Sequence, residues 1–230
     1  MKKSIKLTIY VIVALTITFM ACKKKKNEPS PETPPVIQNP PEVITTLRIY
    51  IWDSITNIAI TGSPFSFKDP DGANGSIVGT FLNNGVDSVI TLAANTTYKT
   101  RVVILDESKN PIDSTSNIVA GSESDQHMFF YNGDPSNNTN NKGNTIIKSG
   151  YPNYSLKLNG SNIRLRYTDV DINTTATRNI GLNTYLKTST STAGTKYPFI
   201  TTLRHQPGIK DGTYAPGETD IEIDFKVKVN

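Results

Sequence analysis

The sequence predicts an all-β fold, an Ig-like β-sandwich with Greek-key connections that follows a signal peptide and a proline-rich tether. Two observations predict the sandwich. Apolar and polar residues alternate with a period of two in many segments, and no window of a dozen residues carries an apolar repeat of 3.6. A third observation predicts the leader, because a cationic start precedes an apolar run that ends at the only cysteine. We therefore divide the 230 residues into 1–21, 22–42 and 43–230.

Residues 1–21 form the predicted lipoprotein signal peptide. Their apolar run of about 15 residues ends at Ala21 and is shorter than the roughly 20 residues of a membrane span. Cys22 follows directly and resembles the lipobox cysteine, whose thiol receives diacylglycerol before signal peptidase II cuts the chain. Phe19 and Met20 depart from the commonest lipobox residues. An uncleaved signal anchor is the alternative, but the four lysines after Cys22 would then oppose the positive-inside rule.

Residues 22–42 carry the lipidated Cys22, the four lysines and a tether with six prolines between residues 27 and 42. Proline fixes φ and lacks a backbone donor, so this segment favours extended polyproline II over helix or strand. At about 3.1 Å per residue it would hold the domain about 50 Å from the bilayer at full stretch. A spacer is the interpretation we favour, and a PxxP ligand is the alternative.

The predicted strands of the domain 43–230 are short and separated by turns rich in Gly, Asn, Asp, Ser and Thr. The last strand is the clearest, because Ile221, Ile223 and Phe225 alternate with charged residues that we assign to its outer face. Those outer residues are Asp220, Glu222, Asp224, Lys226 and Lys228. The full set of predicted strands is 47–52, 64–68, 76–82, 87–92, 97–106, 115–120, 126–131, 154–159, 162–168, 180–188, 197–205 and 220–229.

Two connections have turn or loop signals of their own. Asn159-Gly160 between two alternating runs predicts a hairpin. The polar segment 134–144 predicts a surface loop. Whether the domain is one sandwich or two that divide near this loop is open at this stage, and we favour one.

The formal charge argues against a nucleic-acid partner. The chain carries +4 from 24 basic and 20 acidic residues, but 7 of the basic residues precede residue 27. Residues 27–230 therefore hold 17 basic against 20 acidic residues, a net charge of −3. Because no cluster of Lys and Arg is evident along the predicted domain, we expect no nucleic acid among its partners.

Seven segments lie in order along residues 42–230: EVITTLRI, FSFKDPDG, LAANTTYKTRVVILDES, DQHMFFYNG, NIRLRYTDVD, ITTLRHQPG and GETDIEIDF. Together they resemble a group of exported Bacteroidota lipoproteins that is often catalogued as "type 1 periplasmic binding fold superfamily" proteins. The resemblance implies no established activity. The catalogue name implies an α/β fold with alternating helices, a pattern that this sequence lacks. Relatives read DxDxNG near residue 169, where this chain lacks the glycine.

That position contains the candidate calcium ligands Asp169, Asp171 and Asn173. Side chains at alternate positions of a tight loop can converge on a hard cation such as Ca²⁺. The segment is not an EF-hand, since Ile180 occupies the twelfth place. Asx side chains that bond their own backbone explain the same residues, so a plain turn is the alternative.

His127 and His205 are the only histidines. With Glu218 or Asp220 they are candidate ligands for a transition metal. Because the chain offers two histidines and no second cysteine, we favour a structural role in which they hydrogen-bond between strands.

We predict neither catalysis nor a cofactor. The sequence contains no GxSxG, no HExxH and no thiol nucleophile within the domain. The carboxylates of 218–224 suggest a glycosidase pair only superficially, because such a pair must face each other across a cleft.

Three serines are candidate O-glycosylation sites. Ser54, Ser88 and Ser114 lie in Asp-Ser-Ile, Asp-Ser-Val and Asp-Ser-Thr, which resemble the Asp-Ser/Thr-aliphatic acceptor used in Bacteroidota.

These observations predict an exported protein that is lipid-anchored to the cell envelope, most simply to the outer membrane, and faces the periplasm or the surface. We expect its sandwich to be a non-enzymatic structural or interaction module whose partners are the membrane, through the anchor, and an envelope protein or glycan. The alternative is a glycan- or Ca²⁺-binding module. An exposed aromatic cluster on one sheet face would favour it, and Tyr50, Trp52 and Tyr131 are the residues to check.

Overall fold

The protein is described here by a computed structural model covering residues 42–72, 76–82, 89–132, 163–175 and 178–230. Strands dominate this part of the chain, and one six-residue helix, α1 (Thr115–Ala120), lies between β5 and β6. The strands are β1 (Thr46–Asp53), β2 (Phe65–Lys68), β3 (Thr80–Phe81), β4 (Val89–Leu92), β5 (Thr97–Leu105), β6 (His127–Asn132), β7 (Ile163–Tyr167), β8 (Asn183–Thr188), β9 (Tyr197–His205) and β10 (Glu218–Val229).

The strands form two sheets. A six-stranded sheet has the order β3-β2-β1-β5-β8-β7, and a four-stranded sheet has the order β4-β10-β9-β6. The chain crosses repeatedly from one sheet to the other, as in β3 to β4 to β5, and β4 pairs with β10 in parallel. This arrangement confirms the predicted all-β sandwich.

One hydrophobic core fills the space between the sheets. In β1, Leu47, Ile49 and Ile51 are buried while the residues between them are partly exposed, as the period of two requires. They pack in the same cluster as Phe225 and Val227 of β10. Buried apolar surface stabilises a fold by about 25 cal/mol per Å², so this shared layer is what holds the two sheets together. The core draws on residues from both sides of the 134–144 segment.

The strand prediction for 115–120 was wrong, because this segment forms helix α1. Its β-branched residues suggested a strand, yet Thr115, Ser116 and Val119 are the buried residues of a helical turn. Ser116 Oγ accepts a hydrogen bond of 2.7 Å from the backbone N–H of Ile104 on β5. This contact and the burial of Val119 attach the helix to β5, so tertiary packing overrides the weak strand propensity.

Other predicted strands differ only in extent. The strand predicted over 76–82 is reduced to β3, two residues long. The strand predicted over 197–205 matches β9 at both ends. The prediction for 154–159 and the hairpin at 159–160 lie outside the described residues.

The outward orientation predicted for Asp220 was also wrong. The pairing of β10 with β9 shifts register between Thr219 and Ile221, as at a β-bulge. The extra residue breaks the alternation, so Asp220 and Ile221 are both buried. Glu222 and Asp224 keep the predicted outer position and are exposed.

Within the described residues, no helix has the length and apolar character needed to cross a membrane.

Candidate functional site

The outer face of the six-stranded sheet is rich in cations. Strand register places Arg101 beside Tyr50, Lys99 between Trp52 and Tyr185, and further cations on the two strands beyond. Neighbouring strands lie about 4.8 Å apart, so these side chains form a continuous surface. We call it the cationic face, and its basic members are Arg48, Lys68, Lys99, Arg101, Arg164, Arg166 and Lys187.

Three aromatic rings lie among these cations. Tyr50 and Trp52 stack with centroids 5.7 Å apart and an interplanar angle of 10°. The guanidinium carbon of Arg166 lies 4.9 Å from the ring centroid of Tyr185. All three rings are partly exposed, so their faces remain accessible beside the charged groups.

Few acids offset the charge of this face. Glu107 pairs with Arg48 at 3.0 Å and with Lys68 at 2.5 Å, at one side of the sheet. Of the residues described on β1, β5, β7 and β8, no outward position carries a carboxylate. Among the residues that the structure describes, the cations toward β7 therefore have no acidic neighbour on the sheet surface.

Sequence reasoning missed this face because it counted charges along the chain. The basic residues are isolated in sequence, and only the register of four strands brings them together. The statement that no Lys and Arg cluster exists on the domain was therefore wrong. Among the aromatic residues singled out, Tyr50 and Trp52 do lie together, whereas Tyr131 is buried in the core and donates to the carbonyl of Gly181 at 2.6 Å.

A second unusual region is a polar cluster buried between the sheets at one end of the sandwich. His127 on β6 and His205 on β9 are opposite each other in register. Their rings stack with centroids 4.7 Å apart and an interplanar angle of 7°. Both histidines are buried, and they share the inward sheet face with Phe129 and Leu203.

Two carboxylates complete this cluster. Glu42, which precedes β1, places its Oε2 2.7 Å from Nε2 of His127. Asp220 enters from the bulge in β10, and its Oδ2 lies 3.5 Å from the same nitrogen. Glu218, the other predicted partner, is exposed. No sequence pattern singled out Glu42 as a ligand, because it lies at the end of the proline-rich segment.

Burial opposes charge throughout this cluster, and neighbouring charges decide the outcome. Burial raises the pKa of Glu42, but its hydrogen bonds with His127 and Glu123 outweigh that effect and lower the pKa to about 2. Burial lowers the pKa of His127, yet the hydrogen bond and charge of Glu42 raise it above the ordinary value. Burial raises the pKa of Asp220 to about 7, although the charge of His127 opposes this. Burial and the charge of His127 both lower the pKa of His205.

The three predicted calcium ligands make separate contacts. Asp169 accepts backbone hydrogen bonds of 2.8 Å from both Gly181 and Asn183. Asp171 Oδ1 accepts from Thr174 N and Oγ1 at 3.0 and 2.8 Å. Asn173 directs its Nδ2, a donor, to the carbonyls of Gly121 and Ser122. These contacts are those of loop-stabilising side chains, so calcium binding by the trio stays a prediction that the geometry argues against.

The candidate glycosylation sites fall in different settings. Ser54 lies in the turn after β1 and is partly exposed, and Ser114 caps the start of α1 and is also partly exposed. Ser88 and the lipid-anchor residue Cys22 lie outside the described residues. Glycosylation stays a prediction at all three serines.

Comparison with known proteins adds no further constraint on either region. No family model, no curated protein and no solved structure matches this chain.

Proposed function

We propose that the chain is an exported protein, lipid-anchored to the cell envelope through Cys22, whose sandwich is a non-enzymatic module that binds anionic polysaccharide through the cationic face. The observation that carries the proposal is the register that interleaves Arg and Lys with Tyr50, Trp52 and Tyr185 on one sheet surface. The domain 43–230 holds 17 basic and 17 acidic residues and has no net charge, so this face is a local concentration of positive charge.

The chemistry of the face suits a charged sugar polymer. Arg guanidinium groups bind carboxylate, sulfate or phosphate groups in bidentate geometry. Aromatic rings supply flat apolar surfaces on which the C–H faces of sugar rings stack. Alternate residues along a strand are roughly 6.6–6.8 Å apart, so charged and aromatic groups recur over the sheet at intervals suited to an extended polymer. A protein partner in the envelope is the alternative, and a failure of the protein to bind alginate would favour it.

The leader supports the envelope part of the proposal. Its apolar run ends at Ala21, one residue before the only cysteine. The family resemblance of the seven segments between 42 and 230 points to the same group of exported lipoproteins. As part of the same proposal, the lipid anchor lies in the outer membrane and the domain faces the periplasm or the cell surface.

Binding to a uronic-acid polymer tests the ligand. The full-length protein in detergent is titrated with alginate, and with neutral dextran as the matched polymer. We expect binding to alginate alone, with an affinity that falls as salt is added because exposed charges are screened. Replacing Arg101 and Arg166 together by Ser should weaken binding about tenfold, since each exposed ionic contact contributes up to about 1 kcal/mol.

The control replaces Lys228, an outward lysine of the other sheet, by Ser. This variant removes one positive charge without touching the cationic face, and we expect it to bind alginate normally. Equal binding of dextran and alginate would contradict the proposal, as would an equal loss in the Lys228 variant. If the protein bound a DNA duplex more tightly than alginate, the proposed ligand would be a nucleic acid and not a polysaccharide.

A further inference from the structure

The buried cluster at Glu42, His127, His205 and Asp220 contains polar atoms that make no hydrogen bond to any described residue. These atoms are Nε2 of His205 and both carboxylate oxygens of Asp220, all of which are buried. His205 is 4% exposed and Asp220 is 5% exposed. A buried polar atom without a partner destabilises a fold. Three such atoms beside the buried His127 therefore suggest a missing ligand.

We infer that this cluster is a site for a divalent transition metal, of which Zn²⁺ is the best match, with His127, His205, Glu42 and Asp220 as its ligands. Two imidazoles and two carboxylates are nitrogen and oxygen donors that Zn²⁺ binds in tetrahedral geometry. A divalent cation would balance the charge of the two carboxylates. It would also coordinate the buried atoms of His205 and Asp220 that lack a hydrogen-bond partner among the described residues.

The donor atoms are already close to the required spacing. Those of Glu42, His127 and His205 all lie within 4.8 Å of one another. Zn–N and Zn–O bonds of about 2.0–2.1 Å in a tetrahedron place neighbouring donors about 3.4 Å apart. The distances of 2.7 Å from Glu42 to His127 and 3.5 Å from Asp220 to His127 lie on either side of that value. Glu42 and Asp220 therefore already lie near Nε2 of His127, and the His205 ring has to turn out of its stack with His127 for its nitrogen to face the same ion.

Outer contacts favour the correct tautomer of His127. Its Nδ1 lies 3.3 Å from the backbone carbonyl of Glu123. A hydrogen bond from Nδ1–H to this carbonyl leaves Nε2, the atom nearest Glu42 and Asp220, as the metal-binding nitrogen. The hydrogen bond of 2.7 Å between Nε2 and Glu42 requires a proton on one of these two atoms. An incoming ion would displace that proton, as metal binding to protein ligands commonly does.

The position of the ligands gives such an ion a structural consequence. Glu42 precedes the first strand of the six-stranded sheet, whereas His127, His205 and Asp220 belong to the four-stranded sheet. One ion would therefore join the two sheets where the predicted tether ends. Asp220 also lines a cleft of about 280 Å³ with Phe67, Asp69 and Glu222.

Metal titration of the full-length protein in detergent, without a histidine tag and freed of metal by chelation, tests the site. We expect Co²⁺ to bind with one equivalent and to give the intense visible absorption of tetrahedral cobalt, which Zn²⁺ then abolishes by displacement. Because the chain has only two histidines, one equivalent of Zn²⁺ should shift both imidazole signals in the NMR spectrum. No visible absorption at one equivalent, or a shift of only one imidazole, would overturn the assignment.

Variants identify the ligands. His205→Ala and Asp220→Asn remove donors that make no hydrogen bond without metal, so these proteins are expected to fold, and Co²⁺ affinity should fall at least about tenfold in each. The control Asp53→Asn changes a partly exposed carboxylate at the end of β1, outside the cluster, and should leave the affinity unchanged. If far-UV circular dichroism shows that His205→Ala is unfolded, the two-imidazole shift of the unaltered protein decides the question. A folded His205→Ala that binds Co²⁺ normally would refute the site.

Discussion

Lys210 and Asp171 lie side by side in the protein interior, with Nζ 3.9 Å from Oδ2 and side chains that are 1% and 0% exposed. Lys210 Nζ also donates a hydrogen bond of 2.6 Å to the carbonyl of Ser124. These contacts hold the segment after β9 against the loop before β6. Burial outweighs the attraction of Asp171 and lowers the pKa of Lys210 to about 8.

This lowered pKa predicts a stability that rises with pH in the alkaline range. Between about pH 8 and 10.5 the unfolded chain keeps the Lys210 proton that the folded chain has lost, so the folded state gains as pH rises. At 1.36 kcal/mol per pKa unit the gain is on the order of 3 kcal/mol. Lys210→Met should flatten this part of the curve, as measured by urea unfolding at a series of pH values.

The exposed residue Lys187 provides the matched control for that experiment. Lys187→Met removes the same charge from the surface of β8, so the rise in the free energy of unfolding should persist. An equal rise in the Lys210→Met protein would show that other groups cause it.

Gly181 is predicted to be intolerant of a side chain. Its φ is +87°, and an added Cβ would lie 2.6 Å from Tyr167 Cε1 and 2.9 Å from the carbonyl oxygen of Phe129. Gly208 has a φ of +69° but no atom within 4 Å of such a Cβ. Both Gly→Ala variants incur the backbone cost of about 1–2 kcal/mol, and Gly181→Ala should lose about 2 kcal/mol more through the clash. Thermal unfolding of the two variants measures the difference, and equal destabilisation would mean that the sheets adjust around the new methyl group.

Asp169 is expected to act as a structural acceptor rather than as a calcium ligand. Its two oxygens accept hydrogen bonds from the backbone N–H groups of Gly181 and Asn183. Asp169→Asn replaces one of these oxygens by an NH₂ group, which cannot accept a hydrogen bond from the N–H that it faces. We expect a loss of about 1–3 kcal/mol in the free energy of unfolding. Isothermal titration calorimetry of the unaltered protein should give no heat with millimolar Ca²⁺. Calcium-dependent stabilisation that disappears in Asp169→Asn would reinstate the calcium site.

Replacement of Cys22 tests the anchor. Cys22→Ser removes the thiol that would carry the lipid, so we expect an unprocessed precursor of higher mass and no incorporation of labelled palmitate. The four lysines that follow remain in this variant, so any residual membrane association measures their contribution. Normal maturation of Cys22→Ser would exclude lipidation as the mode of attachment.

Local pattern was enough to predict most strands. From Ile221 onward β10 alternates so regularly that its inward residues could be named in advance, because one face of the strand must be buried. The strand prediction failed for the segment 115–120, because a helix of six residues is too short for its period to be recognised in the sequence. Its helical state depends on Ser116 meeting Ile104, a contact with another part of the chain.

The candidate sites show the same division more sharply. Composition singled out His127 and His205, because only two histidines exist in the chain, and it marked Asp220 as a possible partner. The period-two alternation assigned Asp220 to the outer face, which is wrong because the bulge between Thr219 and Ile221 breaks the alternation at this position. Glu42 could not be connected to His127, 85 positions away, without the fold.

The all-β class and the strands themselves are properties of the sequence alone, because hydrophobic periodicity acts between residues a few positions apart. The leader and the cysteine that follows it are likewise local patterns. The cationic face and the histidine–carboxylate cluster were decided by tertiary structure. Both depend on strand register and on the bulge at Asp220, which bring together residues that are distant along the chain and carry no shared pattern.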